Sequence, residues 1–465
     1  MVKNASSTDC GWRRLGVSPD LLDVHRMRPD RYPFLLESVE RGGERARFDI
    51  LFAFPKGRLA LHPAGELSSD VLDLAGSDFL GHFDKWMAQT RAPADTPPPL
   101  PFFGGWFVYL GYELVGQTEP SVCLPANRDR HAIAEAHRIP AAVIRDHQSG
   151  DTVLVAESDH LHCLGEMEQD LRLAAAADSV NPPGGQTSTA ELQEDSESKF
   201  LDGVERIKRY IRDGDVFQVN LSRAWRGRLA DGVTAADVYA RLRVANPAPF
   251  AGLAVFGQRA VASSSPERLV SIAGGTVQTR PIAGTYPRNP DRDADRALSE
   301  AMLAHPKERA EHIMLIDLER NDLGRVCQTG SIEVNELMAL ESYTHVHHIV
   351  SNVRGRLRAD VTPGQIIRAV FPGGTITGCP KVRCMEIIAE LEGRSRGPYT
   401  GAFAYFNRDG SGDSNILIRT ISIEDGQVEV RAGAGIVADS CPQRELDETR
   451  QKARGPLAAL AGLLK

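Results

Sequence analysis

No run of about 18 consecutive apolar residues occurs in the 465-residue sequence, which excludes a membrane-spanning helix on hydropathy. Positive charge is also scarce. The 54 Lys and Arg against 62 Asp and Glu leave a net charge of −8, and such a surface has no general attraction for nucleic acid or an anionic bilayer. Neither is expected as a partner, although a local basic pocket is compatible with the balance. Cysteine is sparse and scattered: Cys10, Cys123, Cys163, Cys327, Cys379, Cys384 and Cys441 form no CxxC pair and have no histidine at zinc spacing. They read as reduced thiols of a cytosolic protein. The opening MVKNASSTDCGWRRLG has no apolar core of a secretory signal, so a soluble, cytoplasmic protein is the expectation.

The sequence does have length. A single core stops growing at roughly 250 to 300 residues, so two domains or lobes are expected. Pro, Gly, Ser, Thr and acids crowd the stretch AAAADSVNPPGGQTSTAELQEDSES without apolar periodicity. This marks a linker over 181–198, between an amino-terminal region 1–180 and a larger region 199–465. RAPADTPPPLP, residues 91–101, reads as a surface loop because its prolines disfavour helix and central strand. After the linker, Phe200, Val204, Ile207 and Ile211 recur at helical spacing, with Asp213 and Gly214 as a stop. Strand patterns such as DVFQVNLSRAW, ERLVSIAGG and VEVRAGAGIVA then mix with helical ones such as KERAEHIMLIDLERND and KVRCMEIIAELE, a mixed α and β class.

Two helical acid pairs stand out: Glu308 with Glu311, and Glu445 with Glu448, each three residues apart and so on one helix face. Carboxylates from two separate helices suit Mg²⁺, a hard ion that takes oxygen ligands and keeps positions open for substrate oxygens. On spacing alone, the same acids read as solvated surface. In THVHHIVSNV, strand alternation places His345 and His347 on one face and His348 on the other, which does not assemble a zinc site. FPGGTITGCPK has a glycine-rich turn before a lysine, but not the spacing of a phosphate loop. No nucleotide is implied.

Ten segments carry a resemblance, in one order: GDVFQVNLSR, NPAPF, SSSPERLV, RPIAGT, EHIMLIDLERNDLGRV, HHIVSNV, FPGGTITGCPKVRCMEIIAELE, YTGAFAY, ILIRT and AGAGIVADSCPQRELDET. Spread from about Phe200 to Leu464, they resemble the catalytic region of the chorismate-utilising enzymes. The resemblance implies an α+β (mixed α/β) fold, a two-lobed β-sandwich core flanked by helices, as in anthranilate synthase component I-like enzymes. It also implies Mg²⁺ held by Glu311 and Glu448, with Glu308 and Glu445 beside them as water-mediated ligands. Arg419 and Lys452 match positions near substrate carboxylate, where a guanidinium can bind bidentately. Gly433 and Gly435 would let backbone amides approach an anion, and Gly284, Thr285, Thr375 and Tyr399 are further substrate contacts. Glu267 matches a general acid that protonates the departing C4 hydroxyl, which requires a raised pKa. His348 aligns with a histidine near the substrate.

Gln218 stands where related isochorismate and salicylate synthases resemble one another in a lysine that activates water. An amide cannot do that proton transfer, so ammonia is the better nucleophile. NPAPF, FPGGTITG and GYEL lean towards the aminodeoxychorismate synthase large subunit, which makes 4-amino-4-deoxychorismate for 4-aminobenzoate and folate. Ala283 in PIAGT, LLES and DETRQKAR lean towards the alternative, anthranilate synthase, because aminodeoxychorismate synthases usually carry a nucleophilic lysine where Ala283 stands. Either reaction implies a glutamine amidotransferase subunit as ammonia donor. An aminodeoxychorismate lyase would follow as a functional partner. In the amino-terminal region, LLES implies a possible tryptophan pocket at Leu36, Glu37 and Ser38, while GGWFVYLGYELVGQTEP, with Tyr112 and Glu113, resembles the next family motif.

Overall fold

The computed structural model describes residues 10–40, 47–90, 100–126, 131–177, 192–342 and 346–465, without the side chains at 285, 287, 307 and 346. His345, the loop expected over 91–101 apart from its last two residues, and residues 181–191 of the expected linker lie outside the described residues. Among the described residues the strands form two antiparallel sheets, one of twelve strands and one of eleven, with helices packed outside them. The mixed α and β class is as the sequence implies.

Alternation explains the layering. Phe34 and Leu35, Ile50 and Leu51, or Phe107 and Val108 are neighbours along a strand and point to opposite faces. Phe34, Ile50, Phe52, Phe107, Tyr109 and Phe403 meet in one apolar cluster between the sheets. There Phe34 of the first sheet stacks on Phe107 of the second at 4.1 Å between ring centroids. Leu35, Leu51, Val143 and Leu154 instead join an outer cluster with helices Leu21–Met27, His162–Ala176, Ala235–Ala245 and Pro442–Leu460. The strands are therefore buried on both faces, and each large apolar side chain removed from water contributes about 2 to 3 kcal/mol.

The first sheet runs across from Cys10–Leu15 through Thr152–Glu157, Ala141–Asp146, Phe48–Ala53, Phe34–Glu37, Phe250–Phe256, Arg259–Ser265, Thr420–Glu424, Gln427–Ile436 and Gln218–Arg228 to Gln193–Glu194. In the second, Gly105–Leu110 pairs with Ala402–Asn407. Residues before and after the expected linker thus share both sheets. The linker's last residues are themselves ordered: Gln193 and Glu194 pair with Arg226 and Trp225, and helix Glu197–Arg212 starts at 197 with the Ser196 side chain as its cap. The polar composition of 192–198 concealed a cap and an edge strand. Among the described residues no helix is long and apolar enough to cross a membrane.

Candidate active site

Two long paired strands, Gln218–Arg228 and Gln427–Ile436, form the floor. Glycine is required there by close approach. A Cβ at Gly435 would lie 2.3 Å from Gln218 Nε2, and one at Gly433 would lie 2.5 Å from Asn220 Oδ1 and 2.8 Å from Tyr399 Oη. The space vacated by the missing Cβ atoms is thus filled by the chain's own amide and phenol groups. Gln218 Nε2 donates to Glu311 Oε1 at 2.8 Å, while Gln218 Oε1 and Asn220 Oδ1 are buried acceptors without a hydrogen-bond partner among the described residues.

Glu267 and Arg419 both sit where the chain passes between the sheets. Glu267 lies between strands Arg259–Ser265 and Arg268–Ala273, Arg419 between Gly412–Asn415 and Thr420–Glu424, and in each case the two strands belong to different sheets. Arg419 adopts a left-handed backbone, φ 53°, an arrangement that costs energy for a residue with a Cβ and that clusters at functional sites. Its half-buried guanidinium makes no hydrogen bond or ion pair among the described residues; burial lowers its pKa, against the nearby Tyr399, Glu267 and Glu448. Glu267 is buried and accepts from Thr375 Oγ1 at 2.6 Å. Burial pushes its carboxyl up to about 7, although the Thr375 hydroxyl, Arg419 and Lys452 all oppose the rise. Lys452 donates to the Gly433 carbonyl at 3.1 Å and pairs with Glu448 at 2.6 Å.

The PIAGT segment forms an edge strand, Ile282–Pro287, against Val346–Arg356. The register slips between Ala283 and Thr285. Gly284 is the extra residue of this bulge, with φ 65°, and a Cβ there would meet Glu308 Oε2 at 3.1 Å. Ala283 is buried opposite Ile349, and the Thr285 side chain lies outside the described residues. His348 is buried and hydrogen-bonds the Gly284 carbonyl; burial and the nearby Arg419 push its pKa down to about 4, so the ring is neutral near pH 7. His347 bonds Asp295 at 3.0 Å and Ser342 at 2.7 Å, a structural role.

Among the described residues no group of three or more His, Cys, Asp and Glu side chains converges as a metal centre. The donor chemistry nevertheless fits Mg²⁺, which uses one or two carboxylates and otherwise keeps water or substrate oxygens. Glu311, on helix Pro306–Gly324, reaches the Gly435 end of the floor through Gln218; Glu448, on helix Pro442–Leu460, reaches the Gly433 end through Lys452. Residues two apart on a strand share a face, and the orphaned Gln218 Oε1 supplies a further hard donor. Glu308 and Glu445 lie one turn from these acids, half-buried.

Sequence reasoning missed a buried charge cluster behind the floor. Glu392 accepts from Arg396 at 2.6 Å, Arg431 at 3.0 Å and the Ser222 hydroxyl at 2.8 Å, and Arg396 also donates to the Asn220 carbonyl at 2.8 Å. It missed Glu319 as well, buried on the same helix as Glu311. Glu319 in LIDLERND carries no local signal, since its burial is set by residues distant in sequence. In the amino-terminal region, Leu36 faces the space between the sheets. Glu37 accepts from Tyr239 at 2.7 Å and Arg243 at 3.2 Å, and Ser38 donates its backbone N–H to Asp49 at 2.9 Å. The three residues line a cavity with Phe48, Ile50, Pro249, Phe250 and Tyr405.

Comparison with known proteins agrees with this geometry. Residues 33–458 match the model of the chorismate binding enzyme family. An anthranilate synthase component I-like protein of Synechocystis is 43% identical over 79% of this chain and 75% of its own. An aminodeoxychorismate synthase component 1 of Bacillus subtilis is 50% identical over 56% of this chain and 54% of its own. Anthranilate synthase component I from Streptococcus pneumoniae superposes with a TM-score of 0.76 at 30% identity, covering 90% of this chain and 93% of that one. With the matched region holding the buried Glu267, the nearby Arg419 and the paired glycine strands, the chain belongs to the family of chorismate-binding enzymes.

Proposed function

We propose that the protein is component I of an aminodeoxychorismate synthase, converting chorismate and ammonia to 4-amino-4-deoxychorismate. The carrying observation is Glu267, a carboxyl that burial holds at about 7, beside Arg419, which makes no hydrogen bond or ion pair through its guanidinium among the described residues. Arg419 and Lys452 take the substrate carboxylates. Glu267 gives its proton to the C4 hydroxyl, the C–O bond breaks and water leaves. Ammonia's lone pair forms the new C–N bond, and its surplus proton returns to the Glu267 carboxylate. Thr375 fixes Oε1, so that the proton resides on the other oxygen. Gln218, tied to Glu311, supplies no base for water. Glu311 and Glu448 would hold Mg²⁺, with Glu308 and Glu445 around it; bound there, the ion neutralises substrate carboxylate charge.

The 50% identity to the Bacillus protein over 56% of this chain supports C4 amination. Two features favour a second reading, anthranilate synthase. Ala283 offers no covalent nucleophile, and the neutral His348 can accept the ring proton whose loss accompanies pyruvate elimination. Ammonia would come from glutamine through an amidotransferase subunit, in the cytoplasm, and the Leu36–Ser38 cavity would take tryptophan. The test is incubation with chorismate, Mg²⁺ and ammonium, with and without aminodeoxychorismate lyase. Conversion to 4-aminobenzoate only when lyase is added supports the first reading. Anthranilate formed without lyase replaces it with the second.

A further inference from the structure

Glu319 lies two helical turns past Glu311 on helix Pro306–Gly324, on the inner side and only 7% exposed. It abuts the short turn Gly374–Ile376: a Cβ at Gly374 would lie 3.3 Å from Glu319 Oε1. The next residue, Thr375, gives its hydroxyl to Glu267 Oε1 at 2.6 Å. One turn therefore has a buried acid on each side.

The surroundings of the two acids differ. Glu267 is faced by the Thr375 hydroxyl, Arg419 and Lys452. Glu319 is faced by Asp322 from its own helix, Lys381 from helix Lys381–Glu392, the Thr279 hydroxyl from strand Thr276–Thr279, and Glu267 across the turn. Lys381 is itself bonded to Asp322, so its charge is already shared. Burial pushes Glu319 up to about 8, with Asp322 adding to the rise, and Lys381 and Thr279 opposing it.

We propose that Glu319 is a positioning residue for the reaction, a buried acid that sets how firmly Glu267 holds its proton, acting across the Gly374–Ile376 turn. The inference rests on the reading of Glu267 as the general acid. While Glu319 is neutral, Glu267 donates freely. Glu267, the lower of the two, ionises first, and its charge adds to the burial that holds the proton on Glu319, so the two facing carboxyls keep one proton between them, part of it on Glu267, to higher pH. The acid form of Glu267 then persists to higher pH than its own burial would sustain.

The experiment is the pH dependence of kcat and KM for chorismate with ammonium, from pH 6 to 9.5, in the full chain and its variants. Glu319→Gln is expected to match the unsubstituted protein within about twofold at pH 6.5 with KM unchanged, and to lose about three- to tenfold more kcat above pH 8. Glu319→Asp keeps an ionisable group and restores part of the alkaline limb. Thr279→Val removes a buried hydroxyl that faces Glu319 without a hydrogen bond among the described residues, and moves the limb the same way by a smaller amount. A Glu319→Gln profile superimposable on the unsubstituted one, or lowered uniformly at every pH, overturns the proposal. Should that variant not fold, an unmoved limb in Thr279→Val overturns it instead. Turnover by Glu267→Gln would remove the functional reading itself, a separate outcome.

Discussion

Glu267 and Glu392 are the same side chain, equally hidden from solvent at 6% and 4% exposure, and they are held in opposite states. Glu392 touches two guanidiniums directly, through Arg396 and Arg431; burial alone would raise its carboxyl, but these partners bring it below the ordinary value. Among the described residues the Glu267 carboxyl bonds only a hydroxyl, with its cations nearby but not bonded, and rises to about 7. Burial penalises a bare carboxylate, and only direct, charge-assisted hydrogen bonds reverse that penalty. The structural acid has its cations in contact. Glu267, the acid proposed for the reaction, has its cations near but not bonded to it among the described residues.

The largest break in this contrast is Glu267→Gln. Amide for acid removes the proton and keeps the shape, so kcat should fall by about a thousandfold, while chorismate still raises the melting temperature. Next is Arg396→Met, which leaves the buried Glu392 with one guanidinium. Chemical denaturation should show a loss of about 3 kcal/mol, and activity per folded molecule should survive far better than in Glu267→Gln. Arg419→Lys keeps the charge but loses the planar fork; KM for chorismate should rise about tenfold with folding stability little changed. A further effect is in the pH dependence of stability. Glu267 is raised in the folded chain, so its contribution is present below the unfolded value of about 4.3 and is lost as pH rises through about 7. Glu392 is lowered, so its contribution is present above that unfolded value and is lost as pH falls through its folded one. Melting curves should therefore show Glu267→Gln gaining on the unsubstituted protein above pH 7, by a few kcal/mol at most. Glu392→Gln should differ least from it in acid.

Much of this was legible in the sequence. The helix beginning near Phe200 with Gly214 as its stop, the strand pattern DVFQVNLSRAW and the helical pattern KVRCMEIIAELE appear as Glu197–Arg212, Gln218–Arg228 and Lys381–Glu392. Glu267, Thr375, Arg419, Lys452 and Gln218 were found through the segments that carry the resemblance, and the fold brings them together. Glu392 with Arg431, Asn220 with Arg396, and Glu319 with Gly374 were not found. Each is a contact between residues 39 to 176 positions apart, and their chemistry comes from desolvation, which periodicity does not encode. The glycines of AGAG also make room for the Gln218, Asn220 and Tyr399 side chains, a close approach that their spacing in sequence does not show.

The shared sheets bear on how such a gene could be divided. Cut between 177 and 192, the chain would give two polypeptides, neither owning a complete sheet. Phe34–Glu37 would lose its ladder with Ala251–Leu253, and Gly105–Leu110 its ladder with Ala402–Asn407. Each fragment would carry raw apolar edges of the kind that recruit other strands. Split halves would have to be made together and would fold only upon each other. The amino-terminal region is thus needed for the fold that carries the site, although Glu267, Thr375, Arg419 and Lys452 all lie after residue 192.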